Sequence, residues 1–330
     1  MIPFIRPSDI QRTPRSRRAN GRVRRTKLTG PPRKPAAAGD PASLGVSAIL
    51  IGQTDGAYLS AAERQVRHLL EDVPRWPNGA ISHRESVAEL WADFVYMAPP
   101  TLAYWAVQAG DPGLLREAAR QCLLYRDVLV AGGDDPETRG LWHHIIGPES
   151  QDLGLWSTGN AWAAAGMTRV LATAKKSGFL GGDADADANG GQSSVLEDLA
   201  SAIRGILDSA IAADAAEPDE PLLRNYIDDA SWFGELSGTA LLAATAYRVA
   251  ALGDAQPGYV AWADEKRRAV TDRIGDDGLL YPVINPLNWG DRTPSGESPE
   301  AQSFAVMLFA AYRDYCQGSS EGCEVDFSKI

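Results

Sequence analysis

The sequence predicts an all-α protein built as an array of helical hairpins, and three observations carry that expectation. Apolar residues recur at helical spacing from residue 40 onward, glycine and proline mark the breaks, and one turn–helix–extended unit recurs along the chain. The unit shows when three segments are aligned. Gly52–Gln65 leads to N-G-A-I-S-H at 78–83, Gly110–Gln121 to R-G-L-W-H-H at 139–144, and Gly253–Lys266 to D-G-L-L-Y-P at 277–282. The glycines opening the extended pieces, Gly79, Gly140 and Gly278, are 61 and 138 residues apart, so a further, divergent unit fits between the last two, with Ser193–Ala213 as its candidate. Hairpins of this size bury their apolar faces only by packing on neighbours. Closed into a ring they form an α/α toroid whose extended pieces rim a pocket at one end; left open they form a solenoid of TPR or HEAT type. Long, unequal units, with Trp, His and Asp gathered near loops rather than along a groove, favour the ring.

In chain order, the first element is a basic tail. Residues 1–34 carry eleven Lys or Arg against one acid, Asp9, a net of +10, so with a formal net of −11 for the whole chain residues 35–330 carry −21. With almost no apolar pattern, residues 1–38 cannot offset their ordering entropy and read as a disordered tail ahead of one domain, 39–330. The arginine runs fit a localisation or nucleic-acid arm, a poor transit peptide or a misassigned start, and the last fits best because the folded pattern begins abruptly at Gly39-Asp40. No apolar core of a secretory signal is present, which leaves localisation open between cytoplasmic and, with a different start, secreted. The acidic body argues against nucleic acid as a partner, and no run of about 18 apolar residues exists to cross a membrane.

The next helix is expected in Ala61–Leu70, where Val66, Leu69 and Leu70 share a face and Ser60 with Glu63 has the form of a capping box. Leu115–Val130 repeats the pattern and contains Cys122, read as a small buried hydrophobe. Cys316 and Cys323 are close enough in sequence to pair, but two cysteines at one spacing specify little, and the redox compartment is not readable. D-A-D-A-N-G-G at 185–191 begins like an EF-hand loop, yet position 12 falls on Leu196, so a flexible acidic loop is the better reading. The polar stretch 285–299 is long enough to be functional, with Trp289, Asp291 and Arg292 as candidates for a pocket wall.

The chemistry-bearing residues cluster between Trp91 and Trp162: W-A-D-F-V-Y-M-A at 91–98, G-L-W-H-H at 140–144 and W-S-T-G-N-A-W at 156–162. An acid among aromatics, a histidine in an extended turn and a Trp-bracketed polar turn suit a sugar pocket, because tryptophan faces pack on sugar C–H faces and Asn both donates and accepts. No His/Cys spacing for a metal and no cofactor motif is present, so neither is expected. Together with G-D-P-A-S-L-G-V at 39–46, these pieces give the chain, over roughly 39–318, a resemblance to the unsaturated glucuronyl and rhamnogalacturonyl hydrolases, the six-hairpin glycosidases of families 88 and 105.

That resemblance implies an (α/α)6 toroid, here lacking or altering its first hairpin because only about ten helices can be placed after the tail. It implies hydration of the C4=C5 double bond of an unsaturated uronyl oligosaccharide, such as a pectin fragment, with release of the adjacent sugar. One carboxyl can donate the proton and deprotonate the water, so the paired-carboxylate spacing of ordinary glycosidases is not needed. Asp93 falls on the family's acid/base position, amid apolar neighbours that would desolvate it; the alternative is a helix-terminal carboxylate. Asp40 falls on the second acid, its alternative being an N-cap ahead of Pro41. His144 falls on a loop histidine, with His143 turned the opposite way. Trp156, Asn160 and Trp162 fall on a substrate-binding turn, core packing being the alternative for either Trp. The chain departs from the family at Thr158, where an arginine is common, and Ala161, where a glycine is. Threonine cannot clamp a carboxylate bidentately, and Arg84 is the candidate substitute. A catalytically inactive helical-repeat relative serving as a carbohydrate-binding or scaffold protein is the competing reading; an epimerase or ordinary glycosidase would need another acid/base arrangement. Leaving sugar, linkage and oligomeric state are not written in the sequence.

Overall fold

Two classes of helix follow from two patterns of apolar residues. The computed structural model describes residues 37–180, 195–288 and 290–318. In α3 (Gly56–Glu71), Ala62, Val66 and Leu69 are buried and the remaining face is polar, the stripe of a helix packed on one side only. The same holds for α5 (Pro112–Leu129), α7 (Val195–Ala216) and α9 (Tyr259–Thr271). By contrast α4 (Phe94–Ala109), α6 (Ser157–Ser177) and α8 (Leu236–Ala251) are buried on nearly every face. They form the inner layer, packing in the order α4, α6, α8 and then α10 (Pro299–Gly318), with α1 (Gly39–Ser43) and α2 (Gly45–Gly52) beside α4. Each outer helix covers its hairpin partner: α3 on α2, α5 on α4, α7 on α6 and α9 on α8. The result is the α/α toroid expected, with one continuous core running through it.

Glycine sets how closely the layers approach. A Cβ on Gly166 of α6 would lie 2.3 Å from the Val95 carbonyl oxygen of α4, so no other residue permits that crossing. The recurring unit is real in the structure. Each outer helix ends in a chain reversal closed by one antiparallel bridge: Arg75 with Ile81, Val130 with Trp142, Arg224 with Gly234, and Ile274 with Leu280. Gly79 and Gly278 have φ near +95° and +79°, a conformation that favours glycine. Gly140 serves otherwise: a Cβ there would meet the Gly205 carbonyl oxygen of α7 at 2.0 Å.

Several expectations are corrected. Ser60 is not a cap, because α3 starts earlier at Gly56, with Asp55 as N-cap accepting from the Ala57 amide at 3.0 Å. Asp40 is not an N-cap either: it is the second residue of α1, whose N-cap position is Ala38. Ala37 and Ala38, on the tail side of the expected boundary, are buried, and the Ala38 amide donates to the His83 carbonyl at 2.7 Å. In the region of the expected altered first hairpin, the described inner segment consists of two short helices, α1 and α2, meeting at Leu44. The acidic 185–191 loop, Trp289 and Cys323 lie outside the described residues; Cys122 is a buried free thiol and Cys316 is disulfide-bonded.

Candidate active site

The extended pieces after the outer helices all lead into inner-helix N-termini, so the toroid gathers those N-termini at one end. A helix N-terminus presents unsatisfied N–H groups and a positive partial charge, which favours acids there. Asp40 lies in the first turn of α1, Asp93 at the N-cap position of α4, Glu235 at the N-cap of α8 and Glu300 in the first turn of α10. Their roles differ by where the carboxylate points. Glu235 caps its own helix, accepting from the amides of Ser237 and Gly238, both at 2.6 Å. Asp93 makes no such cap. Its carboxylate faces the first turn of α6, where a Cβ on Gly159 would sit 3.6 Å from Asp93 Oδ1. Oδ1 is buried and, among the described residues, accepts no hydrogen bond, although the side chain as a whole keeps 14% exposure. A buried carboxylate oxygen without a donor is costly and marks a place where chemistry or a ligand is expected.

A two-residue ribbon brings His144 to this acid. β1 (Leu90–Trp91) pairs antiparallel with β2 (Ile145–Ile146), and the Ala92 amide donates to the His144 carbonyl at 2.9 Å. His144 is buried, with Nε2 3.8 Å from Asp93 Oδ1 and Nδ1 3.0 Å from Asp152 Oδ2. Asp152 also accepts from the Tyr226 hydroxyl at 2.5 Å and the Gly154 amide at 3.0 Å. Burial pushes the Asp152 carboxyl up, but the hydrogen bonds from His144 and Tyr226 outweigh it and hold the acid at about 2. Burial alone would lower His144; the Asp152 hydrogen bond and the Asp93 carboxylate reverse this and raise it above the ordinary imidazole value. Tyr226–Asp152–His144 is therefore a fixed chain that aims an imidazolium-prone ring at Asp93. His143, as expected, turns away and meets the Leu153 carbonyl.

Aromatic rings wall the pair. Trp91 stacks on His83 at 4.7 Å and meets His144 edge-on at 5.7 Å, while Trp156 lies 4.5 Å from His144. Burial lowers His83 to about 4, so it is a neutral ring near neutral pH, between the fields of Asp93 and the exposed Asp40. A Cβ on Gly39 would be 2.7 Å from His83 Nδ1, so the small residue beside Asp40 makes room for this ring. Arg84 is not a free surface arginine: it lies 4.5 Å over Trp91 and 3.4 Å from buried Glu89, which also accepts from Trp91 Nε1 at 2.6 Å.

The motif at 156–162 divides into three parts. Trp156 is 2% exposed and donates to Asn225 Oδ1 at 2.8 Å, in a small apolar cluster with Tyr226, Trp232 and Ile284. Asn160 is buried and its amide is taken up by main chain: Oδ1 accepts from Trp142 N at 2.8 Å, and Nδ2 donates to the carbonyls of Trp142 and Trp156 at 3.0 Å. It ties the histidine loop to α6 rather than reaching for a hydroxyl. Thr158 is buried and donates to Glu235 Oε1 at 2.9 Å, as Ser157 does at 3.0 Å. Trp162, half-buried, stands apart on the α10 side between Tyr96 and Phe304, its indole N–H donating to Glu300 Oε1 at 2.9 Å.

Of the residues expected from sequence, the structure brings Asp93, His144 and Trp156 together, with Asp40 at the outer edge, Asn160 beneath and Trp162 to one side. Sequence reasoning missed Asp152, Tyr226, His83, Glu235 and Glu300. Ser298-Pro299-Glu300 carries a helix-start signal, proline at the first helical position, that identifies a first-turn acid; nothing of that kind marks Asp152 or the N-cap acid Glu235. Of the 285–299 loop, Gly290 lines a cleft and the expected wall residues Asp291 and Arg292 do not, while Trp289 lies outside the described residues. The cleft has a volume of about 290 Å³ and is also lined by Gly154, Tyr226, Asp228, Asp229 and Trp232; Arg292 lies over Trp232 while pairing with Asp229 at 2.9 Å. That cleft shares Tyr226 with the histidine chain, and Asp93 is not among its lining residues.

Comparison with known proteins agrees with this architecture. Residues 44–203 match the family model described as Glycosyl Hydrolase Family 88. A structure described as a possible member of glycoside hydrolase family 105 from Salmonella enterica serovar Paratyphi A superposes with a TM-score of 0.69 at 21% identity, covering 86% of this chain and 74% of that one. A family 105 glycoside hydrolase from C. acetobutylicum gives 0.65 at 12%, covering 82% and 78%. The unsaturated glucuronyl hydrolase of Bacillus sp. GL1, described as responsible for glycosaminoglycan degradation, gives 0.57 at 17%, covering 84% and 74%. No curated protein matches. The (α/α)6 toroid class and the resemblance to families 88 and 105 are thereby shown.

Proposed function

We propose that this chain, a glycoside hydrolase related to families 88 and 105, acts on unsaturated uronyl oligosaccharides by hydrating their C4=C5 bond. The observation that carries the reading is the placement of Asp93: a buried carboxylate oxygen with no donor among the described residues, 3.8 Å from a histidine that Asp152 and Tyr226 hold in place. In this reading protonated Asp93 gives its proton to C4 while a water oxygen bonds to C5 and returns a proton to the carboxylate. The resulting C5 hemiketal opens to a ketone, and the hemiacetal left at C1 expels the neighbouring sugar. His144 orients the water and, as a cation, stabilises the carboxylate formed when Asp93 gives up its proton. Asp40 and Trp162 are assigned to the substrate, Asp40 from the exposed α1 edge and Trp162 as a ring face. Trp156 and Asn160 are assigned to holding the histidine loop and the α6 turn. A rhamnogalacturonan or related pectin fragment is the substrate class proposed.

The test follows the ultraviolet absorbance of the conjugated C4=C5 bond in lyase-generated disaccharides. The natural chain is expected to remove it, and Asp93→Asn to slow its loss by about a hundred- to ten-thousand-fold, the usual worth of a positioned general acid. A folded natural chain that leaves every unsaturated uronide untouched sinks the reading and leaves the carbohydrate-binding relative in its place. The fact that favours that second reading is Thr158, buried against Glu235 where a guanidinium would meet a carboxylate.

A further inference from the structure

Glu300 is an acid that the hydration chemistry does not use. It stands in the first turn of α10, with Oε1 held by the Trp162 indole at 2.9 Å. Oε2 is buried and has no hydrogen-bond partner among the described residues. The charged groups that act on it are acids: Asp93 at the start of α4 and Glu235 at the start of α8. On the α6 side it meets Trp162, and Arg169 of that helix lies over the Tyr96 ring, at 4.7 Å. A carboxylate in such surroundings is under-solvated and repelled, whereas a carboxylic acid satisfies the site and has an O–H to offer. Burial, with the Asp93 and Glu235 charges, accordingly pushes Glu300 up to about 8.

We propose that Glu300 is the specificity-determining group that receives the uronate carboxylate, its part-exposed carboxylic acid donating the O–H to a substrate anion that meets no guanidinium at position 158. This rests on the unsaturated-uronide reading above and adds to it how the anion is recognised in an acid-rich pocket. A neutral acid can share a proton with a carboxylate as one member of a dyad, since the incoming charge makes the protein acid harder to ionise. Recognition of this kind is conditional on a proton, unlike recognition by arginine. Only the neutral form of Glu300 is competent, so the apparent affinity scales with its population.

The experiment measures KM and kcat for an unsaturated uronyl disaccharide between pH 6 and 10, for the natural chain, Glu300→Gln and Glu300→Ala. In the natural chain KM is expected to rise above pH 8, approaching tenfold per unit. Glu300→Gln, which keeps a neutral donor of the same shape, should flatten that rise. Glu300→Ala should raise KM about 10- to 100-fold at pH 7, the usual worth of a hydrogen bond to a charged group, with kcat changing less. Thermal melts of all three confirm that folded enzymes are compared. A natural chain whose KM rise survives unchanged in Glu300→Gln, or an alanine variant with unaltered KM, overturns the proposal and leaves the hydrolase reading standing. No turnover by the natural chain overturns both.

Discussion

Asp152 and Glu300 are two acids in one site, both withdrawn from water, and they end at opposite extremes. Burial pushes each up, yet Asp152 is held at about 2 and Glu300 stands at about 8. The difference lies in donors. Asp152 accepts from His144, Tyr226 and the Gly154 amide, whereas Glu300 accepts from Trp162 and faces Asp93 and Glu235. Burial therefore does not decide the protonation state of a carboxyl; the sign of the groups that share its enclosure does. The two carboxyls are thereby held in opposite states, Asp152 towards the anion beside His144 and Glu300 towards the neutral acid beside Trp162.

The largest effect that would break this comparison is on stability at Glu300. Its folded value lies above its unfolded one, so its contribution is fully present below about 4.5 and is lost as pH rises to about 8. Glu300→Gln removes that loss. Chemical denaturation at pH 5 and pH 8.5 should show the variant gaining on the natural chain with pH, by an amount bounded at roughly 5 kcal/mol by about 1.4 kcal/mol per pKa unit. Parallel curves would mean that Glu300 is ionised in the folded protein.

Asp152 should show the opposite sign. Its depressed value gives stability that is present above 3.8 and lost as pH falls through about 2. The natural chain is expected to lose about 2 kcal/mol more than Asp152→Asn between pH 5 and pH 2, read by the same denaturation series. The variant also frees His144 from its anion, so the basic limb of the kcat profile should move to lower pH. A limb that stays in place would separate His144 from the rate.

These two carboxyls also show what was legible in the sequence. Outer helices such as α3 and α5 were readable because burial on one face leaves a local apolar stripe, whereas the inner helices, buried on nearly every face, leave no such stripe; the recurring bridges such as Arg75–Ile81 and Val130–Trp142 follow from turn residues within reach of each other. Asp93 and His144 stood out as candidates because they lie inside short motifs, and the fold brings them to 3.8 Å of each other. Asp152 did not, because its meaning comes from Tyr226, 74 residues away, and Glu300's from Trp162, 138 residues away. The surroundings of Asn160 were hidden for the same reason. Polar and bracketed by tryptophans, it reads as a sugar ligand, and only the fold reveals that its amide is taken by the backbone of residues 142 and 156. The Ser60 cap failed more locally: Asp55, five residues earlier, already caps the helix.

The smallest effect sharpens the comparison at Trp162, which among the described residues is the donor that keeps Glu300 from being wholly unsatisfied. The Trp162 hydrogen bond pulls Glu300 down against burial and the two acids. Trp162→Phe keeps a ring between Tyr96 and Phe304 but removes the N–H, so Oε1 joins Oε2 as an acceptor without a donor. The carboxylate loses more from this than the neutral acid does, so the ionisation of Glu300 should move further up, by less than about one unit. In the KM profile the rise should shift to higher pH while KM at pH 7 changes little beyond the lost ring area. A shift to lower pH would mean that the indole stabilises the neutral acid, and that Asp93 and Glu235 alone determine how far Glu300 resists ionisation.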